Sequence, residues 1–335
     1  VELKDGRLGL VYSRFGKEGT DFSSADLAMR TSSDGGETWS DAQPLLAGDE
    51  AQVNVMSVSI LRLANGELLL FYLRVNSRID ANLYVRRSTD ELHTLSDPTR
   101  VTVQDGYNVV TNDRVIQTSS GRIIVPANLH TEFDAQGKNI SEDYQSLAVP
   151  FVYFSDDDGR TWKKDSTPIL PIPKRTKALQ ENGVVELGDG RLWMFMRTYH
   201  FYQYGCFSSD NGVTWTTPEP TSLASPLSPA TIKRIPWTGD LLCVWNDHSG
   251  THPFPKEKQR NERTPLCIAT SSDEGQTWSK SRILENNPNG FFCYTAMTFH
   301  QNRVLLAYMA RDSSKTKKLS LKVVALSKDW IYSHD

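Results

Sequence analysis

The chain has 335 residues, 38% of them hydrophobic, enough to bury a large core. Its net charge of −3 and isoelectric point near 6.2 supply no basic field for nucleic acid, and no apolar run approaches the ~20 residues that cross a bilayer, so neither nucleic-acid binding nor membrane insertion is expected. The four cysteines (Cys206, Cys243, Cys267, Cys293) form no CxxC pair and the seven histidines show no ligand spacing, which predicts buried thiols, no metal and no cofactor.

In chain order, the sequence repeats one pattern: an apolar strand, a Gly turn, a second apolar strand, a third strand, then an Asp-containing turn. The first hairpin centres on Gly6 and is followed by Ser32-Ser33-Asp34-Gly35-Gly36-Glu37-Thr38-Trp39. The second centres on Gly66, and its turn at Ser88-Thr89-Asp90 is worn, with Leu92 and Leu95 in place of the Gly and Trp. The third centres on Gly121 and leads to the turn Ser155 to Trp162. The fourth, Val184 to Phe195, leads to Ser208 to Trp215, and the fifth, around Gly239, to Ser271 to Trp278. The sixth, Phe299 to Val304, has Asn302 where Gly is usual. In each intact turn the Asp, Ser and Thr side chains can cap backbone N–H groups, Gly supplies φ > 0, and Trp packs beneath.

Six hairpins, spaced by 49 to 69 residues, read as strands A and B of six blades, each continued by strand C, the Asp turn and strand D. A four-stranded blade repeated radially is an all-β, six-bladed β-propeller, forming a single domain over residues 1–335. Most of strand A of the first blade is expected before Val1. Lys318 to Leu326 reads as strand C of the sixth, with little left for its strand D. An N-terminal segment, with any targeting signal, is therefore expected to be missing.

Antiparallel parity places the start of A, the end of B and the start of C on one face, and the A–B and C–D turns on the other. The Asp turns are therefore structural. The opposite mouth collects Asn112-Asp113-Arg114 and Glu181-Asn182 before strand A, and Tyr294 in the matching register of the sixth blade. At the ends of strand B stand Arg14, Arg74, Arg197 and Asn246-Asp247, while the B–C loops add Asp21 and Arg263. Carboxylates, several arginines and a tyrosine at one mouth are what a propeller ligand site would use.

These residues resemble the retaining exo-sialidases, whose Asp box is the S-x-D-x-G-x-T-W turn, and the resemblance covers nearly the whole chain. It implies an acid/base Asp after the first hairpin, matched by Asp21 in Gly19-Thr20-Asp21. It implies a Glu about sixteen residues before the second arginine, matched by Glu181 and Arg197. The third arginine falls on Arg263 in Arg263-Thr264-Pro265-Leu266, and the nucleophilic Tyr on Tyr294 in Cys293-Tyr294-Thr295. The family's first arginine would fall before Val1. Asn54-Val55-Met56-Ser57 departs from the well-studied members, which points to a divergent branch.

The implied chemistry is consistent with these groups. Guanidinium forks match a sugar carboxylate, a neutral tyrosine avoids the repulsion that a carboxylate nucleophile would meet, and Glu181 would serve as its base. Asp21 would protonate the leaving oxygen and then activate water. Arg14, Arg74, Asp113, Arg114 and Asp247 are candidate substrate-contacting or supporting residues, against a simpler role as rim salt bridges. Arg263 adjoins a charged loop, Lys256 to Glu262, and Asp21 could be a turn former. The expected partners are sialylated or other acidic glycans, and the resemblance implies a secreted or periplasmic protein. Alternatives are a glycosidase for a uronic-acid-containing glycan, a non-catalytic glycan-binding propeller and, less well supported, a protein-interaction propeller.

Overall fold

The computed structural model describes residues 1–16, 19–130, 148–166, 179–253 and 262–333, so most of the charged loop before Arg263 lies outside the described residues. The protein is all-β, with one short α-helix and one 3₁₀ turn (Gly48–Glu50) among the described residues. It divides into two compact units, Val1–Ile169 with Asp210–Thr214, and Leu170–Ser209 with Trp215–Asp335.

In the first unit, β1 (Leu8–Phe15), β2 (Ala25–Ser32) and β3 (Gln43–Leu46) form an antiparallel meander. The next meander runs β4 (Asn54–Arg62), β5 (Leu68–Ser77), β6 (Asp80–Ser88) and β7 (Thr99–Arg100). A third contains β8 (Tyr107–Val109), β9 (Ile116–Gln117), β10 (Ile123–His130), β11 (Ala148–Ser155) and β12 (Lys163–Lys164). A single parallel pair, Ala81 with Tyr107, joins these two meanders into one nine-stranded sheet. β8 and β9 both pair with β10, and the strand between them opens where Asn112, Asp113 and Arg114 stand.

The second unit has three meanders. The first is β13 (Gln180–Glu186), β14 (Leu192–Arg197), β15 (Tyr202–Ser208) and β16 (Glu219–Ala224). The second is β17 (Thr231–Arg234), β18 (Leu241–Asn246), β19 (Leu266–Ser271) and β20 (Arg282–Glu285). The last is β21 (Gly290–His300), β22 (Arg303–Asp312) and β23 (Ser320–Ser327). After β23 the chain turns into α1 (Lys328–Tyr332), whose first turn is capped by Ser327 Oγ accepting from Trp330 N. β23 falls on the Lys318 to Leu326 segment that reads as a third strand in the sequence.

Middle strands are apolar on both faces because sheets pack on each of them. Leu68 to Leu73 in β5 and Leu241 to Asn246 in β18 are buried throughout. The first unit has cores around Phe71, Leu83 and Phe151 and around Leu27, Leu70 and Tyr72; the second around Trp193, Phe195 and Trp245 and around Leu242, Leu306 and Tyr308. Each fully buried Leu or Phe contributes about 1.5–3 kcal/mol.

The Asp turns repeat atom for atom. Asp34 Oδ1 accepts from Thr38 N at 3.0 Å and Oδ2 from Thr38 Oγ1 at 2.5 Å, while Ser32 Oγ accepts from Gly36 N at 2.9 Å. The hydrogen bonds from Thr38 hold the Asp34 carboxyl well below its ordinary range. The worn copy keeps this machinery: Asp90 accepts from Thr94 N and Oγ1, and Ser88 Oγ from Leu92 N. Leu92 takes the glycine position at φ 70°.

One buried carboxyl is held differently. Asp165, after β12, is 5% exposed and neither of its oxygens makes a well-formed hydrogen bond. Burial pushes it from 3.8 up to about 7. With the folded value above the unfolded one, its contribution to stability is full below about pH 4 and is lost as pH rises to about 7. Asp165→Asn removes that loss. Relative to wild type, the variant should gain about 2–4 kcal/mol between pH 4 and pH 8 in denaturant unfolding. A difference that does not change with pH would rule out a buried neutral carboxyl.

Candidate active site in the second unit

The site begins with two bulges. Gln180 pairs with Arg197 and Gly183 with Phe195, so Glu181 and Asn182 together oppose one residue of β14. Cys293 pairs with Met309 and Ala296 with Ala307, so Tyr294 and Thr295 together oppose one residue of β22. The bulged residues Glu181 and Tyr294 sit at φ 51° and 56°, the left-handed region that bulky side chains rarely adopt. A bulge breaks strand alternation, so neighbouring side chains can serve the same partner.

That is what happens here. Tyr294 Oη donates to Glu181 Oε1 at 2.8 Å. Arg197 Nη1 lies 2.9 Å from Glu181 Oε2, with both side chains about one-tenth exposed. The contact is not aligned as a hydrogen bond, so both atoms keep bonding capacity. Gln180 Oε1 accepts from Arg197 Nε at 3.1 Å and Nη2 at 2.7 Å. One guanidinium is thus fixed by two consecutive residues of β13.

Arg263 is held by the other bulge. Its Nη1 donates to Cys293 Sγ at 2.9 Å, and its Cζ lies 5.0 Å from the Tyr294 ring centroid and 4.9 Å from that of Phe291. The Phe292 N donates to the Arg263 carbonyl at 2.9 Å, and Asn246 Nδ2 bridges the carbonyls of Pro265 and Phe292. Arg263 forms no ion pair among the described residues. Burial alone would lower its pKa, but Cys293, Tyr294 and Glu181 more than offset that and hold it above its ordinary value. Burial, reinforced by the Glu181 charge, pushes the Tyr294 phenol up to about 12 against the pull of Arg197 and Arg263. Burial likewise pushes the Cys293 thiol up to about 11, against Arg263.

The structure therefore brings together Glu181, Arg197, Arg263 and Tyr294. Asp247, also in this unit, is 3% exposed, with Oδ2 accepting from Ser281 Oγ at 2.5 Å and Oδ1 from Ser249 N at 2.9 Å. Ligand atoms of Asp247, His252 and Cys267 lie within 4.8 Å of one another, the one such group among the described residues. His252 Nε2 is 3.0 Å from both the carbonyl and hydroxyl oxygens of Ser281, so hydrogen bonds already account for Asp247 and His252 and no ion is assigned.

The other candidates belong to the first unit. Asp21 lies exposed in a tight turn whose backbone is clamped by Asn54, with Nδ2 donating to the Asp21 and Ser23 carbonyls at 2.7 and 2.8 Å. Arg14 makes a two-pronged salt bridge with Asp26 across β1 and β2, at 2.9 and 2.5 Å. Arg74 pairs with Glu50 at 2.5 Å and lies 4.2 Å from the Tyr84 ring centroid; Arg86 shares the same carboxylate. Asp113, at φ 57°, donates its N–H to Val58 O, and Arg114 is buried with its N–H on Ser59 Oγ. Sequence reasoning missed Gln180 and the role of Cys293; both stand beside a singled-out residue, and in a regular strand each would face away from it.

Residues 5–306 match the family described as BNR repeat-like domain, and the chain belongs to that family, within the sialidase superfamily. A sialidase from Micromonospora viridifaciens is 25% identical over 307 residues, 81% of this chain and 43% of the relative. The chain thus spans less than half the length of that curated relative. Among solved structures, a protein of unknown function from Dyadobacter fermentans aligns with TM-score 0.72 at 18% identity, over 97% of this chain and 92% of that one. The intramolecular trans-sialidase of Ruminococcus gnavus aligns with TM-score 0.73 at 14% identity, over 100% and 94%. These likenesses establish a sialidase-type fold.

The buried ion pair makes a stability prediction. Arg197→Met leaves the Glu181 charge uncompensated and should cost about 3–5 kcal/mol, whereas Arg197→Met combined with Glu181→Leu should recover much of the loss. Urea unfolding of the single and double variants checks this. Equal losses in both would mean the pair is not electrostatically coupled.

Proposed function

We propose that the chain is a retaining exo-glycosidase of the sialidase type, releasing a terminal α-linked sialic acid or related acidic sugar through Tyr294. The observation that carries this reading is the 2.8 Å hydrogen bond from Tyr294 Oη to Glu181, with Arg197 and Arg263 against the same pair. The six sequence repeats support treating the chain as one six-bladed β-propeller domain over residues 1–335. The curated relative, a sialidase, supports the class. Activity on extracellular glycans, and hence export, goes with that reading.

In the first step Tyr294 Oη attacks the anomeric carbon while its proton passes to Glu181, so the attack needs no free phenolate, which a pKa near 12 keeps scarce. Asp21, assigned by the family resemblance, gives its proton to the leaving oxygen as the glycosidic bond breaks. In the second step Asp21 takes a proton from water, which attacks the anomeric carbon; the departing Tyr294 oxygen recovers its proton from Glu181. Configuration is retained after two inversions. Arg197 and Arg263 hold the substrate carboxylate in bidentate fashion, and a neutral nucleophile approaches that anion without repulsion.

A panel of sialosides and uronosides tests this. Wild type should cleave the sialosides, and Tyr294→Phe should lower kcat by about a thousandfold or more. In kcat/KM, which reports the first step, Asp21→Asn should lose about 10²–10⁴-fold on alkyl sialosides and much less on nitrophenyl sialosides, which leave without protonation. Activity that survives Tyr294→Phe would remove the tyrosine from the nucleophile role. Cleavage of uronosides alone would move the assignment to another acidic glycan.

A further inference from the structure

Arg14, Arg74, Arg197 and Arg311 occupy one repeated position, near the ends of β1, β5, β14 and β22. The first three each meet a carboxylate: Asp26 at 2.5 Å, Glu50 at 2.5 Å and Glu181 at 2.9 Å. Arg311 meets none among the described residues. Its Nη1 donates to the Lys317 carbonyl at a long 3.4 Å, and its Nε is buried without a hydrogen-bond partner. The adjacent Asp312 is occupied elsewhere. Its Oδ1 accepts from Ser314 N and Oγ at 3.0 and 2.5 Å, and its Oδ2 lies 3.2 Å from Lys315 Nζ. A guanidinium is a rigid fork of donors, and most of this fork is left for a ligand.

Two further features place this cation. Arg311 stands directly opposite Phe291 across β22 and β21, and its Cζ lies 4.9 Å from that ring centroid. Arg263 Cζ lies 4.9 Å from the same centroid, so the two guanidinium groups are no further apart than twice that distance. The chain after Arg311 is also basic. Residues 313–318 are exposed and bring Lys315, Lys317 and Lys318, so four cations are set against one carboxylate, Asp312, over residues 311–318. The whole chain has a net charge of −3, so this corner runs against the average and offers no wide field for a nucleic acid or a membrane surface.

We infer that Arg311, with Lys317 and Lys318 beside it, binds a second acidic group of the glycan. That group is a carboxylate or sulfate ester on the sugar next to the one whose carboxylate Arg197 and Arg263 hold. Two forks suffice for one carboxylate, so a third guanidinium one ring away calls for another anion. Arg311 supplies the directed contact, because its fork matches two anionic oxygens at once. The exposed lysines add a field that salt screens and that draws the ligand in. A glycan whose second sugar is neutral gains nothing from this corner, so the corner selects for a dianion. Naming the second sugar as the one that leaves rests on the glycosidase reading; preference for a dianion over a monoanion does not.

Calorimetric titration at low salt tests this with sulfur-linked glycosides, which resist cleavage. Methyl α-thiosialoside is the monoanion; a thio-linked disialoside and a thio-linked sialyl-6-sulfogalactoside are the dianions. Wild type should bind at least one dianion about ten- to a hundredfold more tightly than the monoanion, the worth of one charge-assisted contact. Which dianion gains shows whether the second group is a carboxylate or a sulfate. Arg311→Gln should lose most of that ratio while keeping the wild-type circular dichroism. Arg311→Lys, a milder change that guards against misfolding, should keep part of it, and Lys317→Gln/Lys318→Gln should lower it at low salt more than at high salt. Equal affinities for monoanion and dianions in wild type, binding of none of the three, or a ratio that survives Arg311→Gln overturns the second site. A dianion preference without cleavage of the oxygen-linked sialosides leaves the second site standing and removes the catalytic reading.

Discussion

The candidate site depends on a departure from strand alternation. In a regular strand, Gln180 and Glu181 would face opposite sides, as would Cys293 and Tyr294. The bulges in β13 and β21 let both members of each pair reach one guanidinium, Arg197 in the first and Arg263 in the second. Holding Glu181 and Tyr294 at positive φ costs on the order of 1–3 kcal/mol each. The hydrogen bond between them and the buried ion pair to Arg197 offset that cost. A strand shifted by one residue instead would turn its whole apolar set outward. The bulge re-aims two side chains and leaves the rest of the strand in register.

The same local logic explains what the sequence made legible. The Asp turns, hairpin spacing and apolar runs located nearly every strand, because each is a short-range pattern in chemistry and period. Counting strands from those turns put Glu181, Arg197, Arg263 and Tyr294 at one end of their strands, and within the second unit they meet. Side-chain partners over longer range were not legible. Arg14 is occupied by Asp26 from the neighbouring strand, and Arg74 by Glu50 from a 3₁₀ turn, so both match the rim salt-bridge alternative. Gln180 and Cys293 were hidden because a bulge has no strong signature in composition. Asn54 stood in a segment marked as atypical; its amide clamps the turn that carries Asp21.

The worn Asp turn separates the parts of that motif. Its glycine and tryptophan are gone, yet Asp90, Thr94 and Ser88 make the same bonds as the intact copies. Leu92 tolerates φ 70° because its side chain is 4% exposed and packed in the core with Leu70 and Tyr72, with Leu95 against it. The hydrogen-bonding triad thus defines the turn. Glycine and tryptophan are one way, though not the sole way, to fill its backbone and packing requirements.

Charge then decides what the centre can accept. Glu181 is matched by Arg197, but among the described residues Arg263 contacts two aromatic rings and a thiol, none of which neutralises a cation. A second guanidinium, Arg311, lies 4.9 Å from the same Phe291 ring centroid. Buried arginines without a carboxylate are costly, because desolvation is repaid only by an opposite charge. The cost is tolerable here since cation–π contacts and the Glu181 field recover part of it. An anionic ligand, as proposed above, would relieve the part of the cost that remains. A carboxylate in place of Tyr294 would neutralise Arg263 and leave the cluster without net positive charge. The neutral phenol leaves the cluster of Glu181, Arg197 and Arg263 with a net positive charge, which is the charge that the acidic-sugar reading requires.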